Sequence, residues 1–377
     1  MVASRVSGVT PYTSGVELHL AAVQVAWSPA LYASPEAFAE RMLALGHAAV
    51  EGAGDRPRLI AYPELIGLPL LLTVAGDTRA LAAPSFAAAL ARLAPRHAGR
   101  WLRTAWRARS LGLGAIYGSY AVDAYRLWYG TFADVARDTN AVVVAGSAFL
   151  PDVDEEPSRG WHVRDWAVQN AALTIAPQGH LLARTAKVHL VPGSERGAGL
   201  RLGRLEDLEV VDTGLGRLAV AVCLDGFHGR VLSTLDARGA QLVVQPSANM
   251  HPWETPWMPD PRRSEGDAWL GEGLRARLQG RLSLRYGVNP MLVGEAFGLR
   301  PRGRSSIFAN VADAEARAAE GQPAVAAMAQ AAAEAPVDAR PGLLVLAPDA
   351  ESEVVVRARV PHPDELVPAT GRALPAR

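Results

Sequence analysis

The sequence is poor in cysteine. Cys223 is the one cysteine among 377 residues, so no disulfide can form within the chain. Such cysteine usage is typical of proteins in a reducing compartment, and a chain of this length can bury a large core without cross-links. We therefore expect a cytoplasmic protein.

Neither sign of charge is in excess. Lysine and arginine together number 38, as do aspartate and glutamate, which gives a formal net charge of zero. A protein that binds nucleic acid needs a basic surface that displaces counterions from the phosphates. The balance of charge argues against nucleic acid as a partner.

Long hydrophobic runs are also absent. The most apolar stretch, Leu65 to Ala75, is broken by Gly67 and Pro69 and is shorter than the ~20 residues that a membrane-spanning helix needs. Residues 1–16 lack the apolar core of a signal peptide. We expect a flexible leader at 1–16 and no membrane partner.

Several common motifs are missing. The chain has no G-x-S-x-G, Walker A, H-E-x-x-H or C-x-x-C sequence, and the glycines from Gly112 to Gly118 have the wrong spacing for a dinucleotide site. The nine histidines are scattered without the spacing of metal ligands. The sequence therefore predicts no metal site.

The patterns that are present alternate between strand and helix. Leu18–Trp27 is an apolar run typical of a strand, Pro35–Gly54 has apolar residues at helical spacing, and Arg58–Leu65 is a second short apolar run. This order is typical of α/β folds. Since no linker interrupts the alternation, we predict one large domain at 17–362 and a C-terminal tail at 363–377.

Later segments continue the alternation. Residues 84–139 have mostly helical patterns, and residues 170–192 and 208–223 are each predicted to form a hairpin. Residues 151–160, which are charged and contain proline, predict a surface loop, and the alanine-rich residues 311–340 predict an inserted helical or flexible segment. A further helix is expected near Trp269–Leu282.

Cys223 has two interpretations. A lone cysteine is most often a small buried hydrophobic residue. Cys223, however, follows the β-branched run LAVAV and precedes an expected helix at Gly226–Gly239. A turn from strand to helix at the carboxyl edge of a sheet exposes its residue at a ligand crevice, where the first helical N–H groups favour a thiolate.

A nucleophilic thiol needs a nearby base or cation, because its usual pKa of about 8.5 leaves it mostly protonated. Glu64 in AYPEL follows a buried strand, where a partly desolvated carboxylate can accept a proton. Lys187 in AKVHLVPGSE lies among apolar residues, so it must find a partner or lose its charge. Taken singly, either side chain could instead face solvent.

Together and in this order, the three segments resemble the motifs of the nitrilase superfamily, the carbon–nitrogen hydrolases. The glutamate, lysine and cysteine of that family correspond to Glu64, Lys187 and Cys223, and a further family glutamate eight residues after the lysine corresponds to Glu195. The similarity runs from about residue 18 to residue 360. It includes two more segments, NAALTIAPQGHLLARTAKVHL and GRSSIF (Gly303 to Phe308).

The resemblance implies an α/β fold arranged as a four-layer αββα sandwich, and a homodimer or larger homo-oligomer. It also implies that the Cys223 thiolate attacks a small amide or nitrile, with Glu64 as general base and Glu195 orienting Lys187. Lys187 and the Leu224 backbone N–H would hold the oxyanion. A thioester would form with release of ammonia or an amine, and neither a metal nor an organic cofactor is required.

Three departures from the family pattern refine this expectation. The segment after the nucleophile is CLDGFHGR, so Phe227 replaces an arginine that binds a substrate carboxylate in some amidase-type members. Nitrilases proper usually carry tryptophan after the cysteine, and Leu224 at that position favours amides. The interval between Glu64 and Lys187 is long, which predicts an inserted helical element at 78–135 over the site or at an interface.

Two other functions remain open. A nitrile hydrolase on the same scaffold would use the same four polar residues. A catalytically silent binding or scaffold protein could keep the fold while the CLDGFHGR segment diverges.

The loop at 248–261 follows the strand after the expected nucleophile helix. Asn249 and Trp253 are predicted to bind substrate, because loops at that edge of a sheet commonly line the pocket. Trp253 forms an apolar wall there with Trp257 and Met258, or these side chains pack against the inserted segment or a second subunit. Tyr62 and His189 flank the motif residues and are expected to support them.

Overall fold

The structure, a computed structural model, describes residues 16–109, 112–312 and 340–366. The expected leader except for its last residue, the expected insertion at 311–340 except for its ends, and the part of the tail after residue 366 lie outside the described residues. The domain boundaries therefore remain predictions.

The described residues form fifteen strands and eight α-helices. In chain order the strands are β1 (Glu17–Trp27), β2 (Arg58–Ala61), β3 (Val142–Glu156), β4 (Gly160–Ile175), β5 (Leu181–Ala186), β6 (Val210–Thr213), β7 (Gly216–Val220), β8 (Leu242–Val244), β9 (Pro256–Trp257), β10 (Asp260–Ser264), β11 (Tyr286–Asn289), β12 (Leu292–Gly294), β13 (Ser306–Ala309), β14 (Leu343–Leu346) and β15 (Val354–Pro361). The helices are α1 (Pro35–Val50), α2 (Leu70–Ala75), α3 (Thr78–Leu81), α4 (Phe86–Ala108), α5 (Leu113–Thr139), α6 (Gly229–Ala237), α7 (Glu265–Glu272) and α8 (Leu274–Leu278).

Two sheets form the centre of the fold. The first has the strand order β12-β1-β2-β3-β4-β5, with β15 antiparallel to β1, and the second has the order β14-β13-β11-β8-β7-β6. Both combine parallel neighbours, such as β1–β2 and β7–β8, with the antiparallel hairpins β4–β5 and β6–β7. The hairpins expected at 170–192 and 208–223 are thereby confirmed.

The two faces of β1 show how the layers stack. Successive side chains of a strand point to opposite faces, and β1 is buried on both. Ala21 and Val23 pack in a cluster with α1, α2 and α5. Leu20 and Ala22 pack in a second cluster with the other sheet, which also contacts α6, α7 and α8. The order helix, sheet, sheet, helix confirms the expected αββα sandwich.

The predicted insertion at 78–135 contains two long helices. α5 buries residues along its whole length and packs on β3, β4 and α1, and α4 packs on α5. α5 is therefore part of the outer helical layer of the sandwich. Whether the segment is an insertion relative to the family stays a prediction.

Two local predictions are wrong. Most of residues 151–160 is strand, because β3 extends to Glu156 and pairs with β4 from Gly160 onward, and only 157–159 form the turn between them. Their charged side chains are compatible with a strand, since this end of the hairpin is only partly buried and pairs through its backbone. The helix expected near Trp269–Leu282 is divided at Gly273 into α7 and α8.

The helices of the described residues are too short or too polar to cross a membrane.

Candidate active site

Three of the predicted site residues lie just after strand ends. Glu64 follows β2, Lys187 directly follows β5, and Cys223 follows β7. β2 and β5 belong to the first sheet and β7 to the second. The packing of the two sheets thus brings together residues that are far apart in the chain.

The Lys187 ammonium lies at the centre of the site. Its Nζ is 2.7 Å from Oε1 of Glu64 and 2.9 Å from Oε2 of Glu195, and all three side chains are at most 7% exposed. Burying a charge costs several kcal/mol unless it is paired, so the three groups hold one another in place. Within the described part of the chain, no group of His, Cys, Asp or Glu side chains could hold a metal ion.

Asn170 bridges the two carboxylates. Its Nδ2 donates to Oε1 of Glu64 at 2.8 Å and to Oε1 of Glu195 at 2.6 Å. Asn170 is fully buried within β4. Its carbonyl oxygen accepts the backbone N–H of Lys187, which directly follows β5. Sequence reasoning placed this residue in a family segment but assigned it no role.

Backbone N–H groups complete the contacts of the carboxylates. The Ala248 N–H donates to Oε2 of Glu64 at 3.0 Å, and the Val191 N–H donates to Oε2 of Glu195 at 2.8 Å. Each carboxylate therefore contacts Asn170, Lys187 and one backbone N–H group.

Cys223 lies in a strained turn. Its φ of 50° is in the left-handed region, which is uncommon for a residue other than glycine. The Cys223 N–H donates to the carbonyl oxygen of Pro246, and its own carbonyl oxygen accepts from Nε2 of Gln245 at 2.6 Å. The expected helix does not follow directly, because a short 3₁₀ helix at Cys223–Phe227 precedes α6.

Burial and charge shift the pKa values of this cluster. Burial raises the pKa of the Cys223 thiol, the charge of Glu64 raises it further, and Lys187 opposes both. Burial also raises the pKa of Glu64, although Lys187 lowers it. For Lys187, burial lowers the pKa, but the negative charges of Cys223, Glu64 and Glu195 together outweigh it and the net shift is upward. The ammonium is therefore charged and the resting thiol holds its proton.

Asp225 links the lysine and cysteine segments. It is fully buried, and its carboxylate accepts the backbone N–H groups of Val188 and His189 at 2.9 and 2.8 Å. Nδ1 of His189 lies 2.8 Å from the same carboxylate, and the ring stacks on that of His228. Sequence reasoning missed Asp225, although its place two residues after the cysteine was a signal.

The remaining predicted residues have other contacts. Leu224 is half-buried next to Cys223. The Asn249 amide bonds to the backbone of His251 through both its nitrogen and its oxygen, which structures its own loop. Trp253 is buried against Gly266 of α7. The Tyr62 hydroxyl donates to the carbonyl oxygen of Met42 in α1.

The loop beyond Trp253 is more exposed. Trp257 in β9 lies under the guanidinium of Arg263, and Met258 is 86% exposed. Phe227 packs edge-on against Trp269 of α7, with ring centroids 4.8 Å apart. These contacts join the segment after Cys223 to the helical layer beside it.

Sequence comparisons relate the chain to known proteins. Residues 127–264 match the family model described as carbon-nitrogen hydrolase. A nitrilase from Pyrococcus abyssi (strain GE5 / Orsay) is 27% identical over 195 residues, which are 50% of this chain and 58% of the nitrilase. The match thus spans little more than half of the length of this curated relative.

Solved structures share the fold over nearly the whole chain. An amidase mutant from Nesterenkonia sp. AN1, with the acetamide moiety of fluoroacetamide covalently added at its active-site cysteine, has a TM-score of 0.54 at 19% identity, covering 96% of this chain and 95% of that one. A carbon-nitrogen hydrolase from Helicobacter pylori G27 has a TM-score of 0.57 at 15% identity, covering 93% of this chain and 92% of that one. Residues 127–264 are thus similar to the carbon-nitrogen hydrolase family, and the chain shares the fold of the solved amidase and carbon-nitrogen hydrolase structures.

Proposed function

We propose that this protein is a thiol hydrolase that cleaves a non-peptide carbon–nitrogen bond of a small amide through a thioester at Cys223. The observation that carries the proposal is the buried Lys187 ammonium held between Glu64 and Glu195, with the Cys223 thiol close enough to interact with all three. A nucleophile, a proton acceptor and a cation for a developing oxyanion are thus available together.

In the first half-reaction the Glu64 carboxylate takes the thiol proton and the sulfur attacks the amide carbon. Lys187 and the Leu224 backbone N–H stabilise the negative charge that develops on the amide oxygen. Glu64, now protonated, gives its proton to the leaving nitrogen as the carbon–nitrogen bond breaks. Ammonia or an amine departs, and the acyl group stays on Cys223 as a thioester.

In the second half-reaction water hydrolyses the thioester. Glu64 accepts a proton from the attacking water, and the same oxyanion contacts stabilise the second tetrahedral intermediate. The carbon–sulfur bond then breaks, Glu64 returns the proton to the thiolate, and the carboxylic acid leaves. Glu195 acts through Lys187, since its carboxylate fixes the ammonium. The steps need neither a metal nor an organic cofactor.

The test compares ammonia release from a panel of small amides by the wild type and Cys223→Ala. We expect release by the wild type to be lost in the variant, and mass spectrometry to detect an acyl adduct on the wild type alone. Cys223→Ser is the matched variant that keeps the size of the side chain. Equal rates for wild type and Cys223→Ala would rule out the mechanism.

A nitrile hydrolase is the second candidate function, favoured by the naming of the Pyrococcus abyssi relative as a nitrilase. Leu224, where nitrilases proper usually carry tryptophan, argues for amides instead. Turnover of matched amide and nitrile pairs decides between them. A clear preference for the nitrile would replace our choice.

If the protein is instead a catalytically silent scaffold, the Cys223 thiol should be unreactive. Cys223 is the one cysteine of the chain, so iodoacetamide labelling reports on this residue alone. We expect turnover-dependent protection: a slowly hydrolysed amide should slow the labelling of Cys223. Labelling that no amide affects, together with no ammonia release, would favour the scaffold.

The proposal extends to the pocket and to the setting of the enzyme. Trp253 and Asn249 are proposed to border the substrate, so Trp253→Phe should raise KM more than it lowers kcat.

We also propose a cytoplasmic homodimer or larger homo-oligomer. Sedimentation analysis of the purified chain tests the oligomer, and cell fractionation tests the location.

A further inference from the structure

Helix α4 carries charge of one sign. Its 23 residues include no aspartate or glutamate, whereas the chain as a whole has a net charge of zero. It contains five arginines: Arg92, Arg96, Arg100, Arg103 and Arg107. Like charges three or four residues apart on a helix repel each other. This concentration of charge therefore lowers stability unless acidic groups or a bound anion compensate for it.

Acidic side chains compensate for only part of the charge. Arg96 lies 3.0 Å from Asp77, and Arg100 lies 3.0 Å from Asp123. Arg103 has no ion pair or hydrogen bond within the ranges that the structure describes, and neither has Arg107. Two guanidinium groups on the same helix are thus available to a ligand.

The guanidinium groups of Arg103 and Arg107 both line a cavity. It has a volume of about 530 Å³ and lies between α4, α5 and the start of β4. Arg159 from the turn between β3 and β4 also lines it, as does His162 of β4. Asp123 is the one acid among the lining residues, and Arg100 already pairs with it. The cavity is therefore strongly positive.

Close packing shapes the cavity. A Cβ atom on Gly118 of α5 would lie 3.0 Å from the Trp166 ring, so the glycine allows this ring to lie against the helix. The Ser119 and Thr104 hydroxyls, both buried, are joined by a hydrogen bond of 2.9 Å across the two helices. The wall is thus built from three packed elements and includes an aromatic face.

We propose that this cavity binds a small organic oxyanion with at least two negative charges, a phosphate ester or a polycarboxylate. The volume is within the range of about 300–1,000 Å³ that small-molecule sites occupy. The guanidinium fork matches the geometry of phosphate and carboxylate oxygens. Two arginines without partners on one helix, with a third from the facing turn, can contact such an anion from two sides, while the Trp166 ring contacts its organic part.

The test is isothermal titration calorimetry of the full chain at low ionic strength with pyrophosphate and with citrate. The double variant Arg103→Gln/Arg107→Gln should bind at least about tenfold more weakly, because it removes two positive charges and their charge-assisted hydrogen bonds to the anion. Arg230→Gln on α6 removes the same charge from the opposite helical layer and should bind like the wild type. Added salt should weaken binding by screening these exposed charges.

The outcomes separate the sources of the anion. Binding of pyrophosphate alone supports a phosphate ester, binding of citrate alone supports a polycarboxylate, and binding of both supports the general class. Absence of binding to the wild type, or equal binding by the double variant, overturns the proposal. Cys223→Ala should bind both probes like the wild type, and a loss there would place the anion at the proposed active site and also overturn it.

Discussion

Lys187 can remain charged in a buried site because three neighbouring groups stabilise its ammonium. Two carboxylates contact its ammonium directly, and the Cys223 thiolate, once formed, adds a third negative charge nearby. Burial raises the pKa of the Cys223 thiol and the charge of Glu64 raises it further, so in the proposed mechanism the nucleophile forms when Glu64 takes the thiol proton. At this scale, the proposed chemistry depends on where one proton resides.

The first prediction concerns pH. Burial raises the pKa of Glu64 despite the nearby Lys187. The proposed base is the carboxylate, so kcat/KM should fall as the pH drops through this raised pKa, and the acid limb should lie above the usual value of about 4.3. The value belongs to the coupled cluster rather than to Glu64 alone.

The measurement is kcat/KM for a small amide between pH 4 and 9, with circular dichroism at each pH to establish that the fold persists. Glu40→Gln, on the exposed face of α1, is the matched control and should leave the profile unchanged. An acid limb at or below the pKa of an exposed glutamate would contradict the role of Glu64.

The second prediction concerns Asn170 as a positioning residue. Asn170→Ala removes the amide that donates to Glu64 and Glu195, so the two carboxylates repel more strongly and the protonated form of Glu64 is favoured. We expect kcat/KM to fall by about tenfold or more, since hydrogen bonds to charged groups contribute about 1.5–3 kcal/mol. The acid limb should also move to higher pH.

A purely structural role for Asn170 gives a different result. In that case Asn170→Ala lowers Tm and the amount of folded protein, while the pH profile of the remaining activity stays in place. The two measurements together distinguish the roles.

At the scale of elements, the short 3₁₀ helix after Cys223 fixes the backbone of the nucleophile. Gly226 in this helix lies against Gln245, and an added Cβ would be 2.3 Å from the Nε2 atom of that side chain. The same Nε2 donates to the Cys223 carbonyl oxygen. The Gln245 side chain thus contacts both Gly226 and the Cys223 backbone, so a change at Gly226 can shift the position of the sulfur.

The third prediction is that Gly226→Ala lowers both stability and activity. The clash should cost about 1–3 kcal/mol in the free energy of unfolding, as overpacking usually does, and the displaced Gln245 should reduce kcat of the folded fraction. Gly130→Ala in α5 is the matched control, because a Cβ there meets no atom within 4 Å. It should be neutral or stabilising, since alanine favours a helix. Equal behaviour of the two variants would contradict the argument.

At the scale of the whole molecule, stability depends on the layers that enclose the two sheets. α5 lies in the segment predicted as an insertion, yet its Trp128 is 1% exposed and donates to the Ala145 carbonyl oxygen of β3. Trp106 of α4, by contrast, is 84% exposed. The two tryptophans allow a direct comparison of core and surface within one helical layer.

The fourth prediction is that Trp128→Ala destabilises the protein by about 3–5 kcal/mol, through lost apolar contacts and the cavity that remains. Trp106→Ala should change stability by less than about 0.5 kcal/mol. Urea unfolding followed by circular dichroism measures both. A small effect at Trp128 would show that α5 is peripheral to the core.

Much of the fold followed from local patterns. The α/β class and the two hairpins were predicted because apolar spacing and turn residues are properties of neighbouring residues. The αββα sandwich was instead implied by the resemblance to the nitrilase superfamily. The hairpin end at 151–160 was missed because composition predicted a loop, whereas strand pairing there depends on the partner's backbone. Composition alone cannot show that a partner strand is present.

The candidate residues can be identified from the amino-acid sequence: one cysteine, a glutamate after an apolar strand and a lysine among apolar residues, in the order of the motifs of a known family. Their hydrogen-bond partners, by contrast, depend on how the chain folds. Asn170 bonds to carboxylates 106 and 25 residues away, and Asp225 joins two strand ends from different sheets. Such contacts arise from the packing of one sheet on another, and hydrophobic periodicity carries no information about which polar groups that packing brings within hydrogen-bond distance.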